Sequence, residues 1–332
     1  MKQFIVITLL ASAALSVNGQ NSIDAVLRSI EANNKELQAN NQLTVSKKLE
    51  AKLDNNLPDP SVSYVHQYGN REGMGIQGEL VASQSFDFPS VYVQKNKLAK
   101  SKAASFDRQG AEFRQQILLQ AKEICLDLVL LNQQRALLDQ RRQNAEQLAE
   151  LYAMRLETGD ANILETNKID LELLNAKTEA RMNESARIAK LQELATLNGG
   201  IAIDFTDTTY MSDGDILSFE ELCAEAVTSN PQLLTLKSEQ VAARRQLSVN
   251  KSKSLPSFEL GYRMNTATGG ERFNGFLVGI SIPLFSNRNN VKQAKAQALY
   301  TDLQLESTTT TVESELHQLY NPVSYTHLRA HE

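Results

Sequence analysis

Hydrophobic and polar positions follow two periods along this chain. Near the first, Val62, Tyr64, His66 and Tyr68 alternate with Ser61, Ser63, Val65 and Gln67. After a loop at 69–78, Leu80, Ala82, Gln84, Phe86 and Phe88 alternate with Glu79, Val81, Ser83, Ser85 and Asp87. The pattern returns where Phe258, Leu260, Tyr262 and Met264 oppose Glu259, Gly261, Arg263 and Asn265, and where Phe276, Val278, Ile280 and Ile282 oppose Leu277, Gly279 and Ser281. A period of two predicts two strand pairs, each joined by a loop. Runs of about ten residues suit tilted transmembrane strands. Tyr68, Phe86, Phe88 and Phe285, near the run ends, suit an interfacial girdle. A soluble hairpin with one buried face would give the same alternation. If the strands do cross a membrane, Glu79, Asp87, Glu259 and Arg263 are expected to face an aqueous lumen.

The second period is helical. From Val91 to Glu157 there is no proline and one internal glycine, Gly110. Such a helix would be roughly 100 Å long. Its apolar seam runs Ala99, Ala103, Phe106, Gly110, Phe113, Ile117, then Ala121, Ile124, Leu128, Leu131, Arg135, Leu138, Arg142, Ala145, Ala149, Tyr152, Leu156. Alternating steps of four and three mark a coiled-coil heptad, with one stutter at Ile117–Ala121. Arg135 and Arg142 are expected to pair with acids of a neighbouring helix. Thr158-Gly159-Asp160-Ala161-Asn162 ends the helix; Gly159 suits a left-handed C-cap, and Asn162 or Asp160 suits the next N-cap. A return helix is predicted from about Ile163 to Leu197, followed by a linker at 199–217 with a β-prone piece, Ile201 to Phe205.

One offset relates the two parts of the chain. Ser22-Ile23-Asp24 returns as Ser218-Phe219-Glu220, 196 positions later. Asn34–Leu37 returns as Asn230–Leu233, Pro60-Ser61-Val62 as Pro256-Ser257-Phe258, and Ser85–Ser90 as Ser281–Ser286. The offset is gapless and even, so it preserves strand faces as well as motifs. The expected organisation is a first repeat at 20–198, the linker, and an incomplete second repeat at 218–321, where Asn321 matches Cys125. Pro322 is expected to end the last helix, leaving 322–332 as a tail foreign to the rest of the chain.

Composition narrows the class. The 332 residues carry a net charge of −5, which argues against nucleic-acid binding. Lys2 followed by the apolar stretch Phe4–Val17 reads as a secretory signal peptide over 1–19, too short to span a bilayer comfortably. Two cysteines, Cys125 and Cys223, provide no disulfide framework for an exported chain.

The order of helix, strand, strand, long helix, glycine tip and return helix, with its duplication, resembles the TolC-type outer-membrane efflux proteins, including the CzcC-like heavy-metal branch. Asn34-Lys35-Glu36-Leu37 and Asn230-Pro231-Gln232-Leu233 resemble the family's N-P-E-L helix break. Ser281-Ile282-Pro283-Leu284-Phe285 and Phe86-Asp87-Phe88-Pro89 resemble its strand-ending motifs, and Tyr152–Asn175 its hairpin tip and following helix. The resemblance implies a mainly helical protein with transmembrane β-structure. Long antiparallel hairpins would form an α-barrel across the periplasm, and four strands per chain a trimeric, twelve-stranded barrel in outer-membrane lipid. It further implies a passive conduit whose tip, Thr158, Gly159 and Asp160, docks a periplasmic adaptor (membrane fusion) protein, and through it an inner-membrane transporter. Against the family pattern, the second helical hairpin is missing, as in a chain truncated at its C-terminus.

No GxSxG, HExxH, CxxC or P-loop occurs, so no enzyme, cofactor or metal centre is expected. Glu157, Asp160 and Glu165 are candidate acids of a cation filter at the tip, or ordinary acid caps at a helix N-terminus. The competing reading is a periplasmic coiled-coil adaptor or scaffold without a membrane barrel; it explains the hairpin but not the duplicated strands.

Overall fold

The computed structural model describes residues 22–210, 218–285 and 287–331. The expected signal peptide at 1–19 lies outside them, as does the end of the linker. The chain divides into two compact units, Met1–Lys35 with Gln116–Ser212, and Glu36–Gln115 with Asp213–Glu332. The long helix α3 (Pro89–Glu157) contributes to both. Proline suits its first turn, where an N–H would lack a partner anyway.

In the first unit, α1 (Ser22–Asn33), the distal part of α3 and α4 (Ile163–Leu197) pack together. Along α3 the seam residues Ile117, Ala121, Ile124, Leu128, Ala145 and Ala149 are buried. The matching seam of α4 keeps strict steps of three and four: Thr166, Ile169, Leu173, Ala176, Ala180, Asn183, Arg187, Lys190 and Leu194, all buried or half-buried. Small residues at Ala145, Ala149, Ala176 and Ala180 allow close helix approach. Asn183 Nδ2 donates to Gln134 Oε1 across the seam at 3.2 Å, and such a polar pair fixes register.

The ion pairs differ in part from expectation. Arg135 does reach Glu184 of α4, at 3.6 Å, but Arg142 pairs along its own helix with Asp139 and Glu146. Arg141, off the seam, bridges to Glu172 and Glu179 of α4 at 2.6 and 2.7 Å. Arg141 at the flank spans two acids of α4 while staying solvated; of the two seam arginines, Arg135 crosses to α4 and Arg142 stays beside its own helix. A hydrogen bond from Arg187 holds the Glu184 carboxyl below its usual range.

Residues 201–210 form no strand, contrary to expectation. They run as an extended strap on α3: Asn132 Nδ2 donates to the carbonyls of Phe205 and Asp207 at 3.3 and 3.0 Å, and Gln133 Nε2 to Thr208 O at 2.6 Å. Phe205 is fully buried. Side-chain amides, rather than a neighbouring strand, satisfy these backbone groups. Burial, then Asp207, pushes the Cys125 thiol up to about 11, which makes it an inert packing group. At the other end of α4, Asn198 Oδ1 accepts from Ser29 Oγ and Asn33 Nδ2, and Asn34 Nδ2 donates to Leu197 O at 2.7 Å.

The second unit holds α2 (Lys35–Leu53), β1 (Ser61–Tyr68), β2 (Ile76–Phe86), the start of α3, α5 (Phe219–Ser229), α6 (Pro231–Ser252), β3 (Ser257–Thr266), β4 (Arg272–Ser281) and α7 (Arg288–His331). The first residues of β1 and β3, and of β2 and β4, are each 196 positions apart. Ser218 and Glu221 form a capping box at α5, and Asn230 with Pro231 caps α6. Asn287 Nδ2 ties α7 to the end of α6 through Asn250 O at 2.6 Å. The expected helix end at Pro322 does not hold, because α7 continues to His331. Proline removes one N–H from the ladder, and the residues after it contain no second breaker.

Gly199 closes α4 at φ +70°, where an added Cβ would stand 2.5 Å from the Asn33 carbonyl. Gly200 has a similar φ of +89° but open space around it. Gly199→Val is expected to lower stability by roughly 3 kcal/mol, combining backbone strain and overpacking. Gly200→Ala is expected to cost about 1 kcal/mol. Thermal unfolding of the two variants checks the difference, and equal midpoints would contradict the close approach at Gly199.

Candidate functional site

The four strands form one antiparallel sheet in the order β1-β2-β3-β4, so a central β2–β3 pairing joins the two repeats. The register carries the sequence alternation across every strand. Val62, Ala82, Tyr262 and Phe276 share one row, and Tyr64, Leu80, Met264 and Asn274 share the next. Phe86, Phe258 and Ile280 lie on the same face. The opposite face carries Ser61, Ser63, Glu79, Ser83, Ser85, Glu259, Gly261, Arg263 and Gly279, with Val65, Val81, Phe273 and Leu277 among them.

The apolar face is uncovered. Phe276 is 92% exposed, and Val62, Tyr64, Val278 and Ile280 are each more than 60% exposed. An uncovered apolar band across four strands marks a surface for a membrane or a protein partner. Tyr68 and Phe285 stand exposed near its two ends, while Phe88 packs against Phe258 at 6.3 Å.

On the polar face Arg263 Nη2 meets Glu79 Oε1 at 2.5 Å, a diagonal cross-strand pair. Asp87 is not part of that face. It lies beyond the end of β2, where its N–H donates to Tyr92 Oη and its carboxylate pairs with Lys95 of α3 at 2.9 Å. The strand ends one residue before Asp87, so the alternation no longer governs it.

The hairpin tip is built from two caps. Gly159 takes φ +79°, and Asp160 N–H reaches back to Arg155 O at 2.8 Å. Asn162, not Asp160, caps α4: its Oδ1 accepts from Glu165 N–H at 2.9 Å, and Glu165 Oε2 accepts from Asn162 N–H at 3.2 Å. Thr158 Oγ1 donates to Asp160 Oδ2 at 3.1 Å. Two of the three candidate filter acids are therefore engaged locally, Asp160 by Thr158 and Glu165 in the capping box. Sequence reasoning missed Ile163 and Leu164, which are exposed at 66% and 78% in the first turn of α4. Their distance from the strict seam of that helix is the signal that would have found them. Among the described residues no group of three or more His, Cys, Asp or Glu could hold a metal ion.

Residues 222–328 match the family model described as outer membrane efflux protein. The fold is that of solved channels of this kind. CusC, a protein described with transmembrane channel formation, superposes with a TM-score of 0.74 at 14% identity, covering 95% of this chain and 80% of that one. The outer membrane protein VceC of Vibrio cholerae gives 0.69 at 14% identity, covering 92% and 79%. The CmeC outer membrane channel of Campylobacter jejuni gives 0.68 at 15% identity, covering 87% and 68%. No characterised protein matches the chain by sequence. Residues 222–328 thus carry the family match, and the chain has the fold of solved outer-membrane channels.

Asn162→Ala removes one half of the capping box. Amide exchange at residues 163–166 is expected to quicken about fivefold, the usual worth of an N-cap. Exchange unchanged at these positions would show that the tip does not depend on this cap.

Proposed function

We propose that the chain is one of three subunits of a passive export conduit, exported through residues 1–19 and seated in the outer membrane by its sheet. The observation that carries this reading is the uncovered apolar face backed by a polar face. An open sheet cannot stand in lipid, since β1 and β4 each leave a row of backbone groups unpaired. Closure needs further copies, and three copies supply twelve strands. The polar face then lines the lumen, where Glu79, Arg263 and Glu259 meet water.

The helices support the same assembly. Opposite its seam α4 exposes Leu164, Leu171, Leu174 and Met182, and α3 exposes Leu130, Leu137, Leu148 and Leu151. A second apolar stripe on a helix already packed on one side calls for another helix. Packing against neighbouring copies would supply it and build the periplasmic α-barrel. At the tip, Thr158, Gly159 and Asp160 with the exposed Ile163 and Leu164 form the surface for a periplasmic adaptor, through which an inner-membrane transporter delivers its cargo. A periplasmic adaptor or scaffold role would leave the apolar sheet face without a partner.

Phe276 lies midway along the apolar face, and Leu277 beside it on the polar face. Phe276→Lys is expected to cost about 2–4 kcal/mol of membrane stability and to abolish heat-modifiable migration after outer-membrane extraction. Leu277→Lys is expected to assemble normally. Equal tolerance of both lysines would contradict the assignment of faces, and a wild-type chain found free in the periplasm would contradict the channel itself.

A further inference from the structure

The apolar face ends on a polar row at the rim far from the helices. The register places His66, Gly78, Thr266 and Arg272 in one line across all four strands. One row inward lie Tyr64, Leu80, Met264 and Asn274; beyond them the face is largely apolar as far as Ile280. From Arg272 to Ile280 the strand rises about 26 Å, and a tilt near 40° reduces this to roughly 20 Å of depth, close to the apolar band of such barrels. The row therefore falls where hydrocarbon gives way to headgroups.

Its chemistry is donor-rich. Arg272 is exposed, and no carboxylate pairs with it among the described residues. Glu79, one residue along β2 from this row, is taken by Arg263 on the opposite face. Glu271 precedes Arg272 and falls on the other face by strand alternation. His66 Nδ1 lies 3.2 Å from Tyr64 Oη, and Tyr68 stacks edge-on at 4.6 Å. The imidazole is thus held between two tyrosines at the edge strand. The acids near the rim, Glu72 and Glu271, lie in the hairpin turns.

We propose that the His66–Thr266–Arg272 row is a headgroup-binding rim that takes the phosphate of anionic membrane lipid. The proposal rests on the channel reading, because it needs the apolar face in lipid. Arg272 supplies a fixed cation and a planar fork suited to phosphate oxygens, Thr266 stands beside it on β3 with its hydroxyl donating to Gly78 O, and the aromatic pair around His66 suits the headgroup level. Three copies would place three such rows around the barrel.

The test uses the full chain in phosphatidylcholine vesicles containing a minor fraction of phosphatidylglycerol, with spin-labelled versions of each lipid in turn. Wild type is expected to immobilise phosphatidylglycerol over phosphatidylcholine by about fivefold, the worth of one basic residue near the surface. Arg272→Gln should bring the ratio close to one while heat-modifiable migration is unchanged, and Arg272→Lys should restore part of it. Absence of the preference in wild type, or its persistence in Arg272→Gln, would overturn the rim. A wild-type chain that never enters the vesicles would overturn the channel reading instead, and loss of heat-modifiable migration reports that separately.

Discussion

Backbone hydrogen bonding is the constraint on which the rest depends. Each strand of the sheet faces outward with an apolar surface suited to hydrocarbon, where an unmet N–H or C=O costs several kcal/mol. Within one chain the ladders β1–β2, β2–β3 and β3–β4 meet this demand for the central strands. The outer edges of β1 and β4 are left over. A hairpin in water can leave its edges to solvent; a lipid-facing sheet cannot. On the proposed reading, the sheet is completed by further copies, and assembly becomes a condition of its stability.

The helices extend the same logic into water. The α3–α4 seam buries small and aliphatic residues with steps of three and four, and its few polar members act as registers. A single hairpin needs one apolar stripe on each helix. These helices carry two, and the second is exposed among the described residues. On the proposed reading, sheet edges and helix stripes are each completed by neighbouring copies. Where the chain turns, it relies on local devices: a left-handed glycine, a capping box at Asn162 and Glu165, and the amide cluster around Asn198.

Features with a short period were legible in the sequence. Strand faces follow from alternation, and the α3 seam from its heptad, because both report burial at every second or every third to fourth residue. The constant offset of 196 aligned the two repeats for the same reason. Features that depend on partners distant in sequence were not legible. Asn198 meets Ser29 across 169 positions, and nothing local announces it. The strap at 201–210 reads as strand by composition, yet Asn132 and Gln133 take its carbonyls. Arg141 serves the ion-pair role expected of Arg142, because Glu172 and Glu179 of α4 lie beside the flank of α3 that carries Arg141. Asp87 left its expected face because β2 stops just before it, and Pro322 failed to end a helix that one missing donor does not break. At the tip, the acids were visible in the sequence, but their engagement by Thr158 and the capping box was not, nor was the exposure of Ile163 and Leu164.

The central claim is that β1 of one copy completes the edge left by β4 of another. Site-directed cysteine pairs, one on β1 and one on β4, test it most directly in the full chain, with Cys125 and Cys223 replaced beforehand. Oxidation in the membrane should yield a ladder of covalent species ending at three copies for pairs in register, and none for pairs displaced along the strands. Monomer alone at every register, or a ladder that runs on past three copies, would contradict the closed trimeric barrel.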